Sequence, residues 1–421
     1  MKDHIHILDK TRCSGCRSCE QICTTQCIIM IEDTEGFVYP SVNEKKCIKC
    51  RLCIKHCPQI NNTISDDQFK NPEVYAARIK ETKILMKSSS GGVFSVVAEK
   101  VIDKGGVVFG CAFDENLVAK HIVVENKEDL KLLRGSKYVA SDLNNTYTQV
   151  KDYLKTGRMV FYTGSPCHIA GLKSFLGESY TNLITADIIC HGTPSPKLFK
   201  KYIIWLEKSL TKRKFKMNMR NKEINIKKMN WKICLYDFRN KETKGWRCGT
   251  IKVCLKNGEE NVVIRPISLL DPYFSSFITS KTYRPSCYTC KYACETREGD
   301  YTFADYWGIE LFHPEFYSSK GVSLLLINTK KGKDFFDRFK DDIEYIQSKM
   351  QYAASRNGHL HFPAARPQIR DVIYNEIDIL DFDTYAKKYL YPKDKIKQWI
   401  KYMLPESMKI NIKKTLHKVR K

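Results

Sequence analysis

The sequence predicts a protein of the α+β, or mixed α/β, class: a small cysteine-bound module followed by a mixed-sheet core. Three observations carry this. Nine of the eighteen cysteines fall within the first sixty residues. From about residue 73 to residue 330, strand-like and helix-like patterns alternate, which argues for packed layers of sheet and helix. With 421 residues, 43% of them apolar and 28% charged, the chain is long enough for two or three units with real cores, and wholesale disorder is not expected.

Taken in order, residues 28–31 and 37–39 flank a turn at 33–36 and predict a β-hairpin. Residues 61–71 (NNTISDDQFKN) are polar and run into Pro72, the signature of a linker. A strand is expected at 74–79, a glycine–serine turn at 87–92 and a helix at 93–102, where apolar residues recur at helical spacing. Strands at 107–113 and 119–124 follow, then a helix at 145–154 and a strand at 159–163. A helix at 170–176 leads to a strand at 183–190. A helix is expected at 197–210, short strands near 253–255 and 262–266, a strand at 321–328 and a helix at 333–342. Beyond about residue 358 the pattern weakens into a basic tail, in which Trp399, Tyr402, Leu404, Met408 and Ile412 suggest an apolar stripe interrupted by Pro405.

The first cysteine run is Cys13, Cys16, Cys19 and Cys23; the second is Cys47, Cys50, Cys53 and Cys57, closed by Pro58. Both have the spacing C-x2-C-x2-C-x3-C. A cubane [4Fe–4S] cluster needs four converging thiolates. A CxxCxxC loop supplies three, and the fourth comes from the other run, as in two-cluster bacterial ferredoxins. Cluster one therefore takes Cys13, Cys16, Cys19 and Cys57, and cluster two takes Cys47, Cys50, Cys53 and Cys23. Zinc is the competing reading, but zinc knuckles use two ligands each and two triple runs provide too many. Thr24 stands where proline usually follows the fourth cysteine, and Cys27 falls outside both quartets, as a packing residue. The residues between the runs form the β-part of a ferredoxin-type module over 1–62.

Four more cysteines pair chemically. Cys167 and Cys190 each follow an expected strand, at the loop end where α/β sheets place sites. Cys287 and Cys290 form a CxxC knuckle, with Cys294 one turn on as a substitute ligand. Cys167, Cys190, Cys287 and Cys290 make four thiolates, enough for a third [4Fe–4S] cluster; buried free thiols or a zinc knuckle are the other readings. Cys111, Cys234, Cys248 and Cys254 lie in strand-like runs and read as core. His168 and His191, each beside one of the ligand candidates, are candidate proton donors or acceptors, as are Asp300 and Asp305. In residues 87–92 (KSSSGG), Ser89, Ser90, Gly91 and Gly92 precede a helix, where backbone amides favour a phosphate; a serine N-cap with a glycine turn is the ordinary alternative. Gly135, Ser136 and Lys137 combine a turn, a hydroxyl and a cation, suited to phosphates or an anionic substrate, or to a plain surface loop.

Six segments together resemble the coenzyme F420 hydrogenase/dehydrogenase beta-subunit family: 88–94 (SSSGGVF), 133–139 (LRGSKYV), 163–172 (TGSPCHIAGL), 187–194 (DIICHGTP), 285–293 (PSCYTCKYA) and 297–308 (REGDYTFADYWG). The resemblance implies a core in two halves, 73–160 and 161–330, with a helical basic extension at 331–421. It implies cluster cysteines at the points just named, and FAD with its pyrophosphate at Ser89–Gly92 and Gly135–Lys137. The function implied is that of an oxidoreductase passing electrons from a ferredoxin-like or other redox donor through iron–sulfur clusters to FAD and on to a small-molecule substrate. Some relatives are encoded with polysaccharide genes. F420 itself is raised by the family's name, without a residue here to support it. The alternatives are an electron-transfer subunit feeding a partner enzyme, and a scaffold with structural clusters.

Charge and leader complete the expectations. The net charge is +24, and residues 387–421 carry twelve Lys/Arg against Asp394 and Glu406, or +10. A second basic stretch runs from 212 to 232. Without a zinc-finger, helix-turn-helix or RNP pattern, nucleic acid is not an expected partner; an acidic donor or peripheral membrane contact through the tail fits better. Residues 1–9 lack the apolar stretch of a signal peptide, and CxxC runs suit a reducing compartment, so a cytoplasmic location is expected.

Overall fold

The core is built on one eight-stranded mixed sheet, in which parallel pairings at the centre give way to antiparallel ones at both sides. The computed structural model describes residues 4–5, 8–61, 68–212, 231–247 and 249–419. Most of the second basic stretch, residues 62–67 of the expected linker and Cys248 lie outside the described residues. The strands are β1 (Ile28–Glu32), β2 (Val38–Val42), β3 (Gln68–Ile79), β4 (Val107–Phe113), β5 (Ala119–Val124), β6 (Val160–Gly164), β7 (Leu183–Ile188), β8 (Lys232–Asp237), β9 (Lys252–Asn257), β10 (Glu260–Ile264), β11 (Tyr301–Asp305), β12 (Ser323–Thr329) and β13 (Ile343–Gln347). The large sheet runs β13-β3-β12-β11-β7-β6-β4-β5; β1–β2 is the module's hairpin, and β8, β9 and β10 form a separate meander.

Strands β4, β6, β7 and β11 are parallel to one another. Their carboxyl ends therefore share one edge, and the loops after β6, β7 and β11 open there, where ligands of α/β sheets bind. β12 is buried along its whole length, as expected of a strand covered on both faces. On one face Val96, Val97 and Val101 of the helix Val93–Ile102 pack with Phe161, Leu325 and Ile327. On another, Leu172 and Phe175 of the helix Pro166–Leu176 pack with Phe109 and Tyr162.

Several boundaries differ from those expected. The halves 73–160 and 161–330 share a single sheet, because β3 is inserted between β12 and β13. β13 itself comes from the stretch expected to be a helical extension. Its residues pair with β3 from Ile343↔Ile79 to Gln347↔Tyr75, so the core runs past residue 330. The helix expected at 333–342 is Lys330–Phe336. The linker ends sooner than its polarity suggested: β3 starts at Gln68, and Pro72 is tolerated because the β3–β12 register is irregular beyond Ile327 and β13 stops opposite Tyr75. Among the described residues, no helix is long and apolar enough to cross a membrane.

Candidate redox site

The cysteine module is bolted to the core by side chains that bond backbone groups across the contact and by an ion pair. Arg284, 4% exposed, donates from Nε to the Cys13 carbonyl at 2.7 Å and from Nη2 to the Val38 carbonyl at 2.8 Å, and its guanidinium lies 4.2 Å from the Tyr39 ring centre. Gln21 accepts from the Tyr147 and Thr148 amides, Thr289 donates to the Thr11 carbonyl, and Arg370 pairs with both oxygens of Glu35. Nothing in the local sequence marked Arg284. Its position one residue before PSCYTC was the only available hint.

Within the module, Cys57 lies with the first run and Cys23 with the second. Cys16 is pushed up to about 12 by burial, then by the neighbouring Cys57 and Cys13. Burial also raises Cys19, whose neighbours include Cys16, Cys13 and Cys57. Burial raises Cys53, with Cys50 and Cys23 adding to it. The fourth cysteine of each run thus stands beside the other run. Cys27 is buried, with its Sγ 3.4 Å from that of Cys23. Cys13, Cys16, Cys19 and Cys57 are all buried, whereas Cys47 is half-buried and Cys50 exposed. The second quartet reaches water through Cys50, with Cys53 buried and Cys23 half-buried, whereas the first is buried throughout.

The path inward is short. Cys16 packs on Gly171: a Cβ at that glycine would stand 2.9 Å from Cys16 Cβ and 3.1 Å from its Sγ. Gly171 lies one turn beyond Cys167 on the helix Pro166–Leu176, and Cys16 is among the neighbours that raise Cys167. Only a residue without a side chain permits this approach. Gly171 lies within TGSPCHIAGL, where its local pattern is that of an ordinary helical residue.

Cys167, Cys190, Cys287 and Cys290 converge although they span both ends of the core. All four line one cavity of about 400 Å³. Burial raises Cys190 well above the usual thiol range, and Cys287, Cys167 and Cys290 add to it; burial pushes Cys290 up to about 12, with Cys167 and Cys287 next. Such thiols are poor free nucleophiles, and a bound metal reverses the situation by holding them as thiolates. Among the described residues no three His, Cys, Asp or Glu side chains are close enough to share one metal ion; a cubane does not ask for that, since each thiolate takes a different iron. Four thiolates fit an iron–sulfur cluster, and equally a zinc ion by donor type alone. Cys294 stands aside, donating to the Lys291 and Thr296 carbonyls.

A second cavity of about 650 Å³ opens on the other side of Cys190, within the size range of cofactor sites. Ser89, Ser90, Gly92, Gly135, Ser136, Lys137, His168 and His191 all line it. Gly92, Val93 and Phe94 begin the helix Val93–Ile102 at its wall, where the first amides have no intrahelical partner. Lys137 donates to the Leu132 and Arg134 carbonyls at 2.9 and 2.8 Å, and burial lowers its ammonium to about 8. Gly91 corrects the expectation. It does not face the cavity: its amide donates to Ser323 Oγ at 2.8 Å, and a Cβ there would collide with the Ala77 carbonyl at 2.3 Å. The glycine is required for packing between β3 and β12, not for contact with a phosphate. Ser90 likewise donates to the Val322 carbonyl at 2.9 Å.

His168 and Cys190 line both cavities, and the buried His168 Nδ1 has no hydrogen-bond partner among the described residues. His191 is lowered to about 4 by burial and then by His359, so it is a neutral imidazole near pH 7. His121, which the sequence did not single out, lies 5.2 Å from His168 ring to ring. Asp305 lines the cleft but is engaged by Arg239 and Trp246. Asp300 is buried, accepting from the Thr185 amide and hydroxyl, so its role is to join β7 and β11. Two cysteines expected in the core are elsewhere. Cys111 lines the cleft and Cys234 is exposed, while Cys254 is half-buried. The strand pattern showed alternation there without showing which face was covered.

A mixed α/β sheet with cysteines gathered at its carboxyl edge defines the class. The chain matches both halves of the Coenzyme F420 hydrogenase/dehydrogenase beta-subunit family, the N-terminal half over residues 74–147 and the C-terminal half over 157–351. The protein belongs to this family, and with it to the oxidoreductase subunits that move electrons through iron–sulfur centres. No curated protein matches the chain. Among solved structures it is similar to a chain of the F420-reducing [NiFe] hydrogenase complex from Methanosarcina barkeri, at 16% identity and a TM-score of 0.39, covering 77% of this chain and 93% of that one.

Proposed function

We propose that this protein is an FAD-dependent iron–sulfur oxidoreductase, with three cysteine quartets as [4Fe–4S] ligands and the larger cleft as the flavin and substrate site. The observation that carries the reading is the position of Cys190, which lines both the four-cysteine cavity and the larger cleft. Iron–sulfur clusters carry single electrons, and a flavin converts them to the two-electron chemistry of an organic substrate.

The chain's own residues supply the rest. The amides that open the helix at Gly92, with Ser89, Ser136 and Lys137, suit a pyrophosphate. Trp246 and Trp307 stack in parallel, with centroids 5.1 Å apart, as part of a largely apolar wall that limits water. His191 and His168, neutral and inside the cleft, are positioned to hold or accept a proton at an imidazole nitrogen. Electron entry falls to the second quartet, whose Cys50 is exposed. Around it Lys45, Lys46, Lys49, Arg51 and Lys55 are exposed, and Ile48 is 65% exposed. That basic rim suits an acidic carrier protein.

The test is anaerobic purification with cofactor analysis. About twelve iron and twelve sulfide per chain, with FAD released on precipitation, is the expected result. Full iron without flavin, even after reconstitution with FAD, would leave the electron-transfer subunit as the function. Stoichiometric zinc without sulfide would end the cluster assignment.

A further inference from the structure

The C-terminal helices Lys395–Met403 and Glu406–Val419 are firmly seated at the edge of the larger cleft. Their inner faces close the mouth of the larger cleft through Tyr402, Lys409, Ile410 and Lys413. Lys244 donates to the Tyr402 carbonyl at 3.1 Å, and the Tyr317 hydroxyl donates to Glu406.

Their outer faces are the reverse of what water selects. Ile396, Trp399, Ile400 and Met403 recur at i, i+3, i+4 and i+7 and are 77%, 50%, 49% and 53% exposed. Met408, Ile412 and Leu416 repeat the stripe on the second helix, each about half exposed. Such a stripe needs a cover. Tyr402 and Leu404, expected in the stripe, are half-buried instead.

The charge indicates what that cover is. Ion pairs of this tail use Lys387, Lys388 and Lys413. The exposed Lys393, Lys395, Lys397 and Lys414 have no ion pair among the described residues. An apolar stripe bordered by uncompensated lysines is the pattern of a helix lying in a lipid interface, with cations at the headgroups. We propose that these two helices dock the protein on an anionic membrane surface and set the cleft mouth beside the lipid.

The experiment is co-sedimentation of the full-length, anaerobically purified protein with vesicles of phosphatidylglycerol and phosphatidylcholine. Binding is expected at low salt, and roughly tenfold or more weaker with phosphatidylcholine alone or at about 0.5 M salt, where the Debye length falls to a few ångströms. The triple variant Ile396→Ser, Trp399→Ser, Ile400→Ser should lose binding at least tenfold while its iron content and visible spectrum stay at wild-type values. Should that variant not fold, quenching of wild-type tryptophan fluorescence by brominated lipid, lost in Trp399→Phe, reads the same contact. Absence of binding to phosphatidylglycerol, equal binding by the triple variant, or a wild-type dimer that the variant makes monomeric without any vesicle binding would each overturn the proposal.

Discussion

The Ser89 hydroxyl accepts two hydrogen bonds from Ser136, one from its amide at 2.8 Å and one from its hydroxyl at 2.9 Å. These residues lie 47 positions apart, in the two segments that the sequence associated with phosphate, and the bonds join them at one wall of the larger cleft. Ser89→Ala removes both acceptances at about 1 kcal/mol each. The expected outcome is FAD affinity lower by roughly tenfold or more, with unchanged iron content, read as the flavin-to-iron ratio after equilibrium dialysis. Wild-type flavin retention would show that the pair only positions the loop.

The four cysteines between module and cleft give a second prediction. Cys290→Ser leaves three thiolates in the buried cavity, and iron should fall from about twelve to about eight per chain. Iron unchanged at about twelve would place the third cluster's ligands elsewhere.

Gly171 tests the contact between module and core. Gly171→Val puts a side chain where Cys16 Sγ would stand 3.1 Å from its first carbon. Overpacking of this kind costs about 1–3 kcal/mol. The first quartet is expected to lose its iron faster in air, and substrate-driven reduction of the N-terminal clusters to slow, while Gly171→Ala shows a smaller effect of the same sign.

The basic rim of Lys45, Lys46 and Lys49 beside the exposed Cys50 offers a kinetic test. Changing all three to Glu should slow reduction by an acidic ferredoxin about tenfold or more at low ionic strength, and have little effect at about 1 M salt, where the Debye length is about 3 Å. Equal rates at low salt would remove this face as the entry point. The C-terminal tail, the other basic segment suited to an acidic donor, is packed at the cleft mouth.

Asp271 makes stability depend on pH. It is 6% exposed, accepts from the Phe274 amide at 2.8 Å and from the Tyr202 hydroxyl, and is raised from 3.8 to about 6, chiefly by burial. A raised acid binds its proton more tightly when folded. Its contribution is therefore full below about 4 and is lost as pH rises through 6, by about 3 kcal/mol. Asp271→Asn keeps an acceptor and cannot ionise, so its stability relative to wild type should improve between pH 4 and pH 7 in anaerobic denaturant titrations. A constant difference across that range would refute the linkage.

By itself, the sequence determined the local chemistry. Two C-x2-C-x2-C-x3-C runs predict that the fourth cysteine of each run serves the other, and the structure places Cys57 beside Cys16 and Cys23 beside Cys53. Alternating strand and helix patterns with cysteines after β6 and β7 placed Cys167 and Cys190 at the carboxyl edge, because parallel strands put their following loops on one side. Tertiary structure decided what depends on a partner distant in the chain. Gly91 has a glycine's reason to exist in β12, a strand more than two hundred residues away, so its motif read as a phosphate loop. Arg284 and Gly171 carry no periodicity, and their roles arise from a carbonyl and a sulfur in the first twenty residues. The sheet order, with β3 between β12 and β13, follows from which apolar faces bury best together, and no local pattern encodes that choice. The basic tail was visible as charge; only its packing separated the lysines that face the cleft from the apolar stripe that faces outward.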